Sequence, residues 1–312
     1  MAQYLIQRIL LAVATVWAIC TITFFLAFLA PSDPAQIAAG QHSDPAAIAR
    51  ARHDLGLDKP PLVRYGLYLD GVLHGDLGKS YVTREPVTSF LARCIGPTAI
   101  LAVTAIILAL VVGVSLGLAA AVFQNSIVDR ALMTLAVAGV SLPNFVLAPV
   151  LVLLFSEKLG WLPTAGWGDP SYLVLPAIVL GARPGALIAR MTRASTIETL
   201  RQDYVRTARS KGLSPARILF RHVLKNALLP VLTTAGVSFG YLLSGSFVVE
   251  TIFVIPGVGY QSVASLATRD YTMIQGTTLL LAVIFVVVNL LVDLLYLVVD
   301  PRVRPATSAG RA

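Results

Sequence analysis

The sequence predicts an all-α integral membrane protein with six transmembrane helices, and three observations lead to that prediction. The chain has 312 residues, of which 56% are hydrophobic and only 13% are charged; roughly a quarter of an ordinary soluble domain is charged. Its apolar residues are gathered in runs of about 20, the length of helix that crosses a bilayer. Its Lys and Arg residues are concentrated between particular runs, a pattern that orients membrane proteins. This composition excludes a soluble cytosolic enzyme and a disordered chain.

Six apolar runs have the length of spanning helices. Lipid offers no hydrogen-bond partner to the backbone, so each run is expected to be helical. The first is interpreted as an uncleaved helix rather than a signal peptide, because Pro31 would directly follow the cleavage site and the run is long for a signal sequence. The third is interrupted by Pro143, Asn144 and Pro149. The six runs are 9–30, 99–123, 131–155, 172–189, 227–254 and 273–299.

The basic residues orient these helices. Residues 190–225 carry nine Lys or Arg and two acidic residues, for a net charge of +7. Lys and Arg stay on the cytoplasmic side, so this segment is expected in the cytoplasm together with both termini. Segment 31–96, with seven basic and seven acidic residues, is then outside. The overall charge of +8 therefore indicates membrane orientation rather than binding of nucleic acid.

The order of the runs predicts the domain organisation. Segment 31–96 is too long for a plain loop and contains short amphipathic stretches, so it is predicted to form a small extracytoplasmic cap. Covering the bundle and contacting an external partner are equal alternatives for its role. The predicted parts are an N-terminal transmembrane helix at 1–30, the cap at 31–96, a five-helix core at 97–304 with a cytoplasmic coupling segment at 190–226, and a cytoplasmic tail at 305–312.

Strings that resemble catalytic or nucleotide-binding motifs have the wrong residue spacing or lie at an unsuitable place in the chain. The string GDLGKS at 75–80 resembles a phosphate loop, but Leu73 stands where that motif requires Gly. The string LSGS at 243–246 resembles part of an ATPase signature, yet it lies within a predicted span. The four histidines show no metal-ligand spacing. We therefore expect no catalytic residues, no metal site and no cofactor bound by this chain.

The basic segment contains signals for two helices joined by a sharp turn. Ser195 and Glu198 fit a capping box, which predicts a helix over 195–211. Gly212 can supply its left-handed C-terminal cap. Ser214 and Pro215 fit the N-cap and first position of a second helix. The segment is therefore predicted to be a defined cytoplasmic elbow.

Two roles for this elbow stay open from the residues alone. One is a solvated basic face that enforces orientation and holds anionic lipid. The other is a docking surface for a partner protein, in which the small Ala208 would let another backbone approach closely.

Residues 204–212 (YVRTARSKG) and 222–230 (HVLKNALLP) resemble the cytoplasmic motif of ABC importer permeases. More narrowly, they resemble the "B" permeases of dipeptide and oligopeptide importers; nickel permeases look similar. The resemblance extends over about residues 1–304. Further matching stretches are 8–11, 30–34, 55–58, 75–78, 141–143, 250–251, 256–259, 269–271 and 300–302.

This resemblance implies a type I ABC importer permease fold in a bacterial inner membrane. It also implies a second homologous permease, two ABC ATPase subunits that bind ATP and Mg, and an extracytoplasmic substrate-binding protein. The 195–212 helix would couple this chain to an ATPase. Arg206 and Thr207 depart from the Glu-Ala pair of the wider importer motif, but they suit the peptide subfamily. The implied coupling residues are Tyr204, Arg206, Thr207, Ala208, Arg209, Lys211 and Gly212.

Small and polar residues within the spans supply further candidates. Gly113 with Gly117, and Gly236 with Gly240, provide small faces for close helix packing. Charges inside a membrane are costly. Arg183 and Asp293 could pair with each other, or either could meet the partner permease, and structural pairing is favoured over substrate contact. Candidates for lining a pathway or a helix seam are Ser238, Gly240, Ser244, Ser246 and Glu250.

The sequence leaves other transport functions open. A permease for nickel, another metal chelate or haem would share the same architecture. An ion-coupled secondary carrier is a further alternative, although no inverted repeat supports it. A membrane-embedded hydrolase is least favoured, because the histidines lie outside the spans.

Overall fold

A computed structural model describes residues 2–29, 33–40 and 44–299. Within these residues the chain is helical, and its only β-pairing is an isolated bridge between Lys79 and Pro86. The predicted all-α class is confirmed. The α-helices are α1 Ala2–Leu29, α2 Pro34–Ala39, α3 Pro45–Asp54, α4 Pro61–Leu73, α5 Val87–Val122, α6 Ile127–Ser141, α7 Asn144–Leu151, α8 Ser171–Leu200, α9 Asp203–Ser210, α10 Pro215–Ile218, α11 Leu224–Gly245, α12 Phe247–Ile252, α13 Val258–Thr268 and α14 Tyr271–Val299, with π-helical segments at Val152–Lys158 and Leu219–Val223.

The described residues contain five helices long and apolar enough to cross a membrane, and a bent pair that makes a sixth if it counts as one span. In this pair the chain bends by 109° between Ile127–Ser141 and Asn144–Lys158. The break falls at Pro143, as the sequence indicated. Leu142 is extended (φ −91°, ψ 121°) because the residue before a proline avoids the helical conformation. The five unbroken candidates are Ile6–Ala27, Val87–Val122, Ser171–Leu200, Pro215–Leu243 and Tyr271–Val292.

The prediction that a helix begins at Ser195 is wrong. Ser195 lies inside α8, which continues to Leu200, and the chain turns before α9 begins at Asp203. Instead of capping free amides, the Ser195 hydroxyl donates to the carbonyls of Met191 and Ala227, both at 2.9 Å. A serine inside a helix satisfies its hydroxyl in this way. The fourth span is thus longer than predicted, and a single 195–212 helix does not exist.

The described chain divides into two compact units, and the first comprises residues 1–99 and 254–286. At its centre Asp270 accepts a hydrogen bond from the Ser80 hydroxyl, and also from the amides of Tyr81 at 3.3 Å and Met273 at 3.2 Å. One carboxylate therefore caps α14 and holds the turn before α5. Beside it, Val87 and Leu91 pack on Met273.

The short helices of this first unit are held by charged contacts. Asp33 caps α2 and forms an ion pair with Arg52 of α3. The Arg84 guanidinium donates to the carbonyl of Ala38 in α2. The described part of segment 31–96 therefore contains three packed helices, and its role as an extracytoplasmic cap stays a prediction.

The second unit comprises residues 100–253 and 287–312, described as far as residue 299. Its close packing depends on glycine. A Cβ at Gly113 would lie 2.6 Å from the carbonyl oxygen of Gly185, so the backbones of α5 and α8 approach directly. Ile188 and Ala109 continue this contact towards α11, where Val231 is fully buried.

The second glycine pair makes a seam within the same chain. A Cβ at Gly236 would lie 3.1 Å from Val292 Cγ1, and one at Gly240 would lie 3.5 Å from Asn289 Oδ1. Both neighbours belong to α14, so these glycines pack α11 against α14.

Candidate coupling surface and transmembrane cavity

The elbow is built from short helices whose ends are set by local chemistry. After α8 ends at Leu200, α9 runs over Asp203–Ser210. Gly212 then takes a left-handed conformation with φ of +73°, as predicted. Ser214 caps α10 by accepting a hydrogen bond from the Arg217 amide at 3.4 Å, and Pro215 occupies its first turn. The turn and second helix predicted from the sequence are confirmed.

A small hydrophobic cluster holds α9 in place. Val205 and Ala208 of α9 are buried against Ile218 and Val223, with Val205 and Val223 fully buried. Leu200, Leu213 and Leu219 pack around them. An eight-residue helix is too short to be stable alone. Burial of each large aliphatic side chain contributes about 1.5–3 kcal/mol, so this cluster supplies the stability that α9 lacks.

Two polar contacts join the helices around the elbow. The Asn226 side-chain amide donates to the Tyr204 hydroxyl oxygen at 2.8 Å, which joins α9 to α11. The Ser195 hydroxyl joins α8 to α11 through the Ala227 carbonyl. Sequence reasoning placed Asn226 in the cytoplasmic motif without giving it a role. Helix α9 therefore contacts α11 through the hydrogen bond of Asn226 and the end of α8 through Leu200 of the hydrophobic cluster.

The predicted coupling residues fall on two sides of the elbow. Tyr204, with 42% of its surface exposed, belongs to the exposed set, and Ala208 is 5% exposed. Ala208 packs inside the chain's own cluster, so the expectation that it offers close approach to another backbone is wrong. It lies three residues after the buried Val205, on the same helical face. The exposed residues are Tyr204, Arg206, Thr207, Arg209, Lys211 and Gly212.

An ion pair that the sequence did not reveal braces α8 just before the elbow. Arg193 contacts Asp129 of α6 through two hydrogen bonds, each 2.7 Å long. The Asp129 side chain is 4% exposed, and it also accepts the Asn125 amide at 2.9 Å. The available signal was a lone acid in the first turn of a span, because such an acid needs a partner when it is buried.

The predicted pathway candidates have different surroundings. Ser246 donates to a carboxylate oxygen of Glu250 at 2.6 Å, and both residues are buried. Ser238 is 6% exposed and lines a cavity, whereas Gly240 faces α14. The side chain of Ser244 lies outside the described part of the structure.

The cavity beside Ser238 has a volume of about 600 Å³. Its walls come from the break between α6 and α7 and from α8, α11 and α12. Arg183 lines it and is exposed. Among the described carboxylates none forms an ion pair with Arg183. The predicted partner, Asp293, has a side chain outside the described part, so that pair stays a prediction.

A second cavity, of about 240 Å³, lies within the first unit. Arg64, Tyr81 and the paired Asp33 and Arg52 line it. Burial lowers the pKa of the Arg64 guanidinium and raises the pKa of the Tyr81 phenol. Both shifts arise because burial disfavours the charged form of each group.

Family comparisons match nearly the whole chain. Residues 113–305 match the family described as "Binding-protein-dependent transport system inner membrane component". Residues 1–102 match the family described as the N-terminal part of such membrane components. The two matches are separated by residues 103–112.

Individual relatives agree with these matches. Over 304 residues the chain is 43% identical to the glutathione transport system permease protein GsiC of Pectobacterium atrosepticum, covering 97% of this chain and 99% of that protein. Its identity to GsiC of Escherichia coli K12 is 41%, with the same coverage. An inward-facing structure of the MetNI methionine ABC transporter has a TM-score of 0.56 at 21% identity, covering 69% of this chain and 99% of that chain. This last likeness concerns the fold.

Proposed function

The chain belongs to the family of inner membrane components of binding-protein-dependent transport systems, and we propose that its system imports peptides. It is a multi-pass permease subunit of the ABC importer class in a bacterial inner membrane. Relatives at 43% and 41% identity are named glutathione permeases, and glutathione is a tripeptide. Peptide cargo is therefore the proposal that these names support. Family membership argues against the ion-coupled carrier.

The elbow is the observation that carries the coupling mechanism. Its helix α9 has a buried face that fixes it to this chain and an opposite face of exposed polar side chains. We propose that the exposed face docks in a groove of a cytoplasmic ATPase. Closure of two ATPases would then displace α9, and the contacts to α8 and α11 would tilt both spans. Coupling needs such a physically linked element that exists in two positions.

The proposed assembly contains this permease, a second homologous permease, two ATPases and an external binding protein. In this proposal ATP and Mg²⁺ bind to the ATPases and not to this chain. The basic elbow and both termini face the cytoplasm, in keeping with the distribution of Lys and Arg. The folded segment after α1 faces outwards, towards the binding protein.

Uptake by cells tests the cargo. Labelled dipeptide and labelled glutathione are supplied to cells with and without this gene, with unlabelled pentapeptide and nickel as competitors. Peptide cargo predicts gene-dependent uptake that needs ATP and that nickel does not inhibit. Competition by the pentapeptide would extend the cargo to oligopeptides. Peptide uptake that is unchanged by loss of the gene would contradict the proposal and favour a metal chelate or haem.

A further inference from the structure

Arg183 is a charged residue within a membrane-spanning helix, where its side chain cannot face lipid without a large cost. It is twelve residues into α8, which begins at Ser171. At a rise of about 1.5 Å per residue it lies about 18 Å along the helix. The hydrocarbon layer is about 30 Å thick, and Arg183 lies within the candidate span Ser171–Leu200. Ionisable residues within a span face a water-filled space or a charged partner rather than lipid.

The surroundings of Arg183 are those of a ligand site. The side chain is exposed and borders the cavity of about 600 Å³. No described carboxylate within the chain neutralises it. Arg193, ten residues further along the same helix, is in contrast held by Asp129 through two hydrogen bonds. Of the three arginines of α8, Arg193 is therefore paired, whereas Arg183 borders the cavity without a described carboxylate beside it.

The rest of the cavity wall is apolar with a few polar groups. Asn144 is at the break between α6 and α7, and Ser238 and Tyr241 come from α11. Leu142, Phe145 and Leu180 supply apolar surface. Small-molecule sites typically occupy about 300–1,000 Å³ and combine an apolar lining with a few polar groups that fix orientation. This cavity has both properties.

We propose that Arg183 binds a carboxylate of the peptide cargo as the cargo crosses the membrane, an inference that rests on the proposed function. A guanidinium offers a planar fork of donors that matches a carboxylate through two hydrogen bonds. Every linear peptide with a free C-terminus carries this group, whatever its side chains. One arginine on an otherwise apolar wall therefore orients many different peptides without selecting among their sequences.

Binding to the complete importer in nanodiscs, without the external binding protein, tests this role. The probe is a labelled tripeptide with a free C-terminus, displaced by the same tripeptide either unlabelled or amidated at its C-terminus. We expect the wild-type complex to prefer the free acid by about 10–100-fold, the range for a hydrogen bond to a charged group in a sheltered site. Arg183→Gln is expected to reduce this preference to less than about threefold, and Arg183→Lys to retain part of it.

Arg190→Gln is the matched control, because Arg190 is an exposed arginine on the same helix that does not line the cavity. It should keep the wild-type preference. Absence of peptide binding to the wild-type complex, or an unchanged preference in Arg183→Gln, would overturn the inference. An Asp293→Asn variant that loses the preference equally would assign Arg183 to a structural pair instead. Gene-dependent peptide uptake by cells, measured separately, shows whether the proposed function itself has failed.

Discussion

At the residue scale, burial decides what each charged contact contributes. Two aspartate–arginine pairs in this chain differ in exposure and in geometry, since Arg193 makes two hydrogen bonds of 2.7 Å to Asp129 whereas Arg206 lies 3.4 Å from Asp203. In the pair of Asp129 with Arg193 the side chains are 4% and 29% exposed, whereas in the pair of Asp203 with Arg206 they are 92% and 77% exposed. A buried carboxylate that loses its partner pays a desolvation cost that solvent spares an exposed one.

Asp129→Ala is therefore expected to destabilise the permease by about 1–3 kcal/mol, because Arg193 and the Asn125 amide lose their acceptor. Asp203→Ala should change stability by less than about 0.5 kcal/mol, since exposed pairs contribute little. Thermal unfolding of the purified protein in detergent measures both. Equal changes in unfolding temperature for the two variants would show that the buried pair contributes no more to stability than the exposed pair.

At the element scale, the buried residues of α9 hold the helix in place, and its exposed residues are those available to a partner. Val205 and Ala208 face the chain's own cluster, whereas Arg206 and Thr207 are exposed. Adjacent positions in one short helix therefore have different requirements. Neighbouring substitutions can distinguish them, because the same new side chain meets a packed interior at one position and solvent at the next.

Ala208→Arg is expected to disrupt the elbow, since no room exists for a charged side chain in the cluster. Thr207→Arg should leave the elbow folded and act on the ATPase contact alone. Protease sensitivity of residues 200–224 reports the fold, and co-purification of the ATPases reports docking. Ala208→Arg should fail both assays and Thr207→Arg only the second. Full ATPase co-purification with Thr207→Arg would count against docking through this face.

Individual elements show how far the sequence could predict this structure. The break between α6 and α7 was predicted from Pro143. The turn and helix after α9 were predicted from Gly212 and Ser214–Pro215. These effects act over a few residues, so local sequence reveals them. The helix start predicted at Ser195 was wrong, because its hydroxyl donates to a carbonyl of α11 and does not cap a helix. Only the packing of α8 against α11 decides that choice, so local pattern could not predict it.

At the scale of the whole molecule, long-range contacts define the units. Ser80 and Asp270 are 190 residues apart and share one hydrogen bond. Residues 254–286 therefore belong with the first 99 residues, a grouping that differs from the predicted division at residue 96. The predicted domains follow chain order, whereas tertiary contacts follow the fold. Arg183 shows the same limit, because the sequence predicted its place within a span but not the cavity beside it.

Orientation in the membrane is a prediction for the whole chain. In a background where the buried Cys20 and Cys94 are replaced by Ala, we introduce Lys79→Cys, Arg217→Cys or Ser308→Cys and express the permease alone. A membrane-impermeant maleimide should label Lys79→Cys in intact cells, because that position is predicted outside. Arg217→Cys and Ser308→Cys should be labelled only after the cells are opened. Labelling of Arg217→Cys in intact cells would reverse the predicted topology.

The two-sided character of α9 bears on how such a permease acquires its ATPase. Apart from Tyr204, which accepts a hydrogen bond from Asn226, the side chains that stabilise the elbow are buried and differ from the exposed ones. Exposed positions of a stable scaffold tolerate substitution with little loss of stability. The displayed face is therefore free to diverge while the permease continues to insert and fold. If α9 docks an ATPase as proposed, a duplicated importer can change the ATPase it binds through a few surface substitutions, without rebuilding its membrane domain.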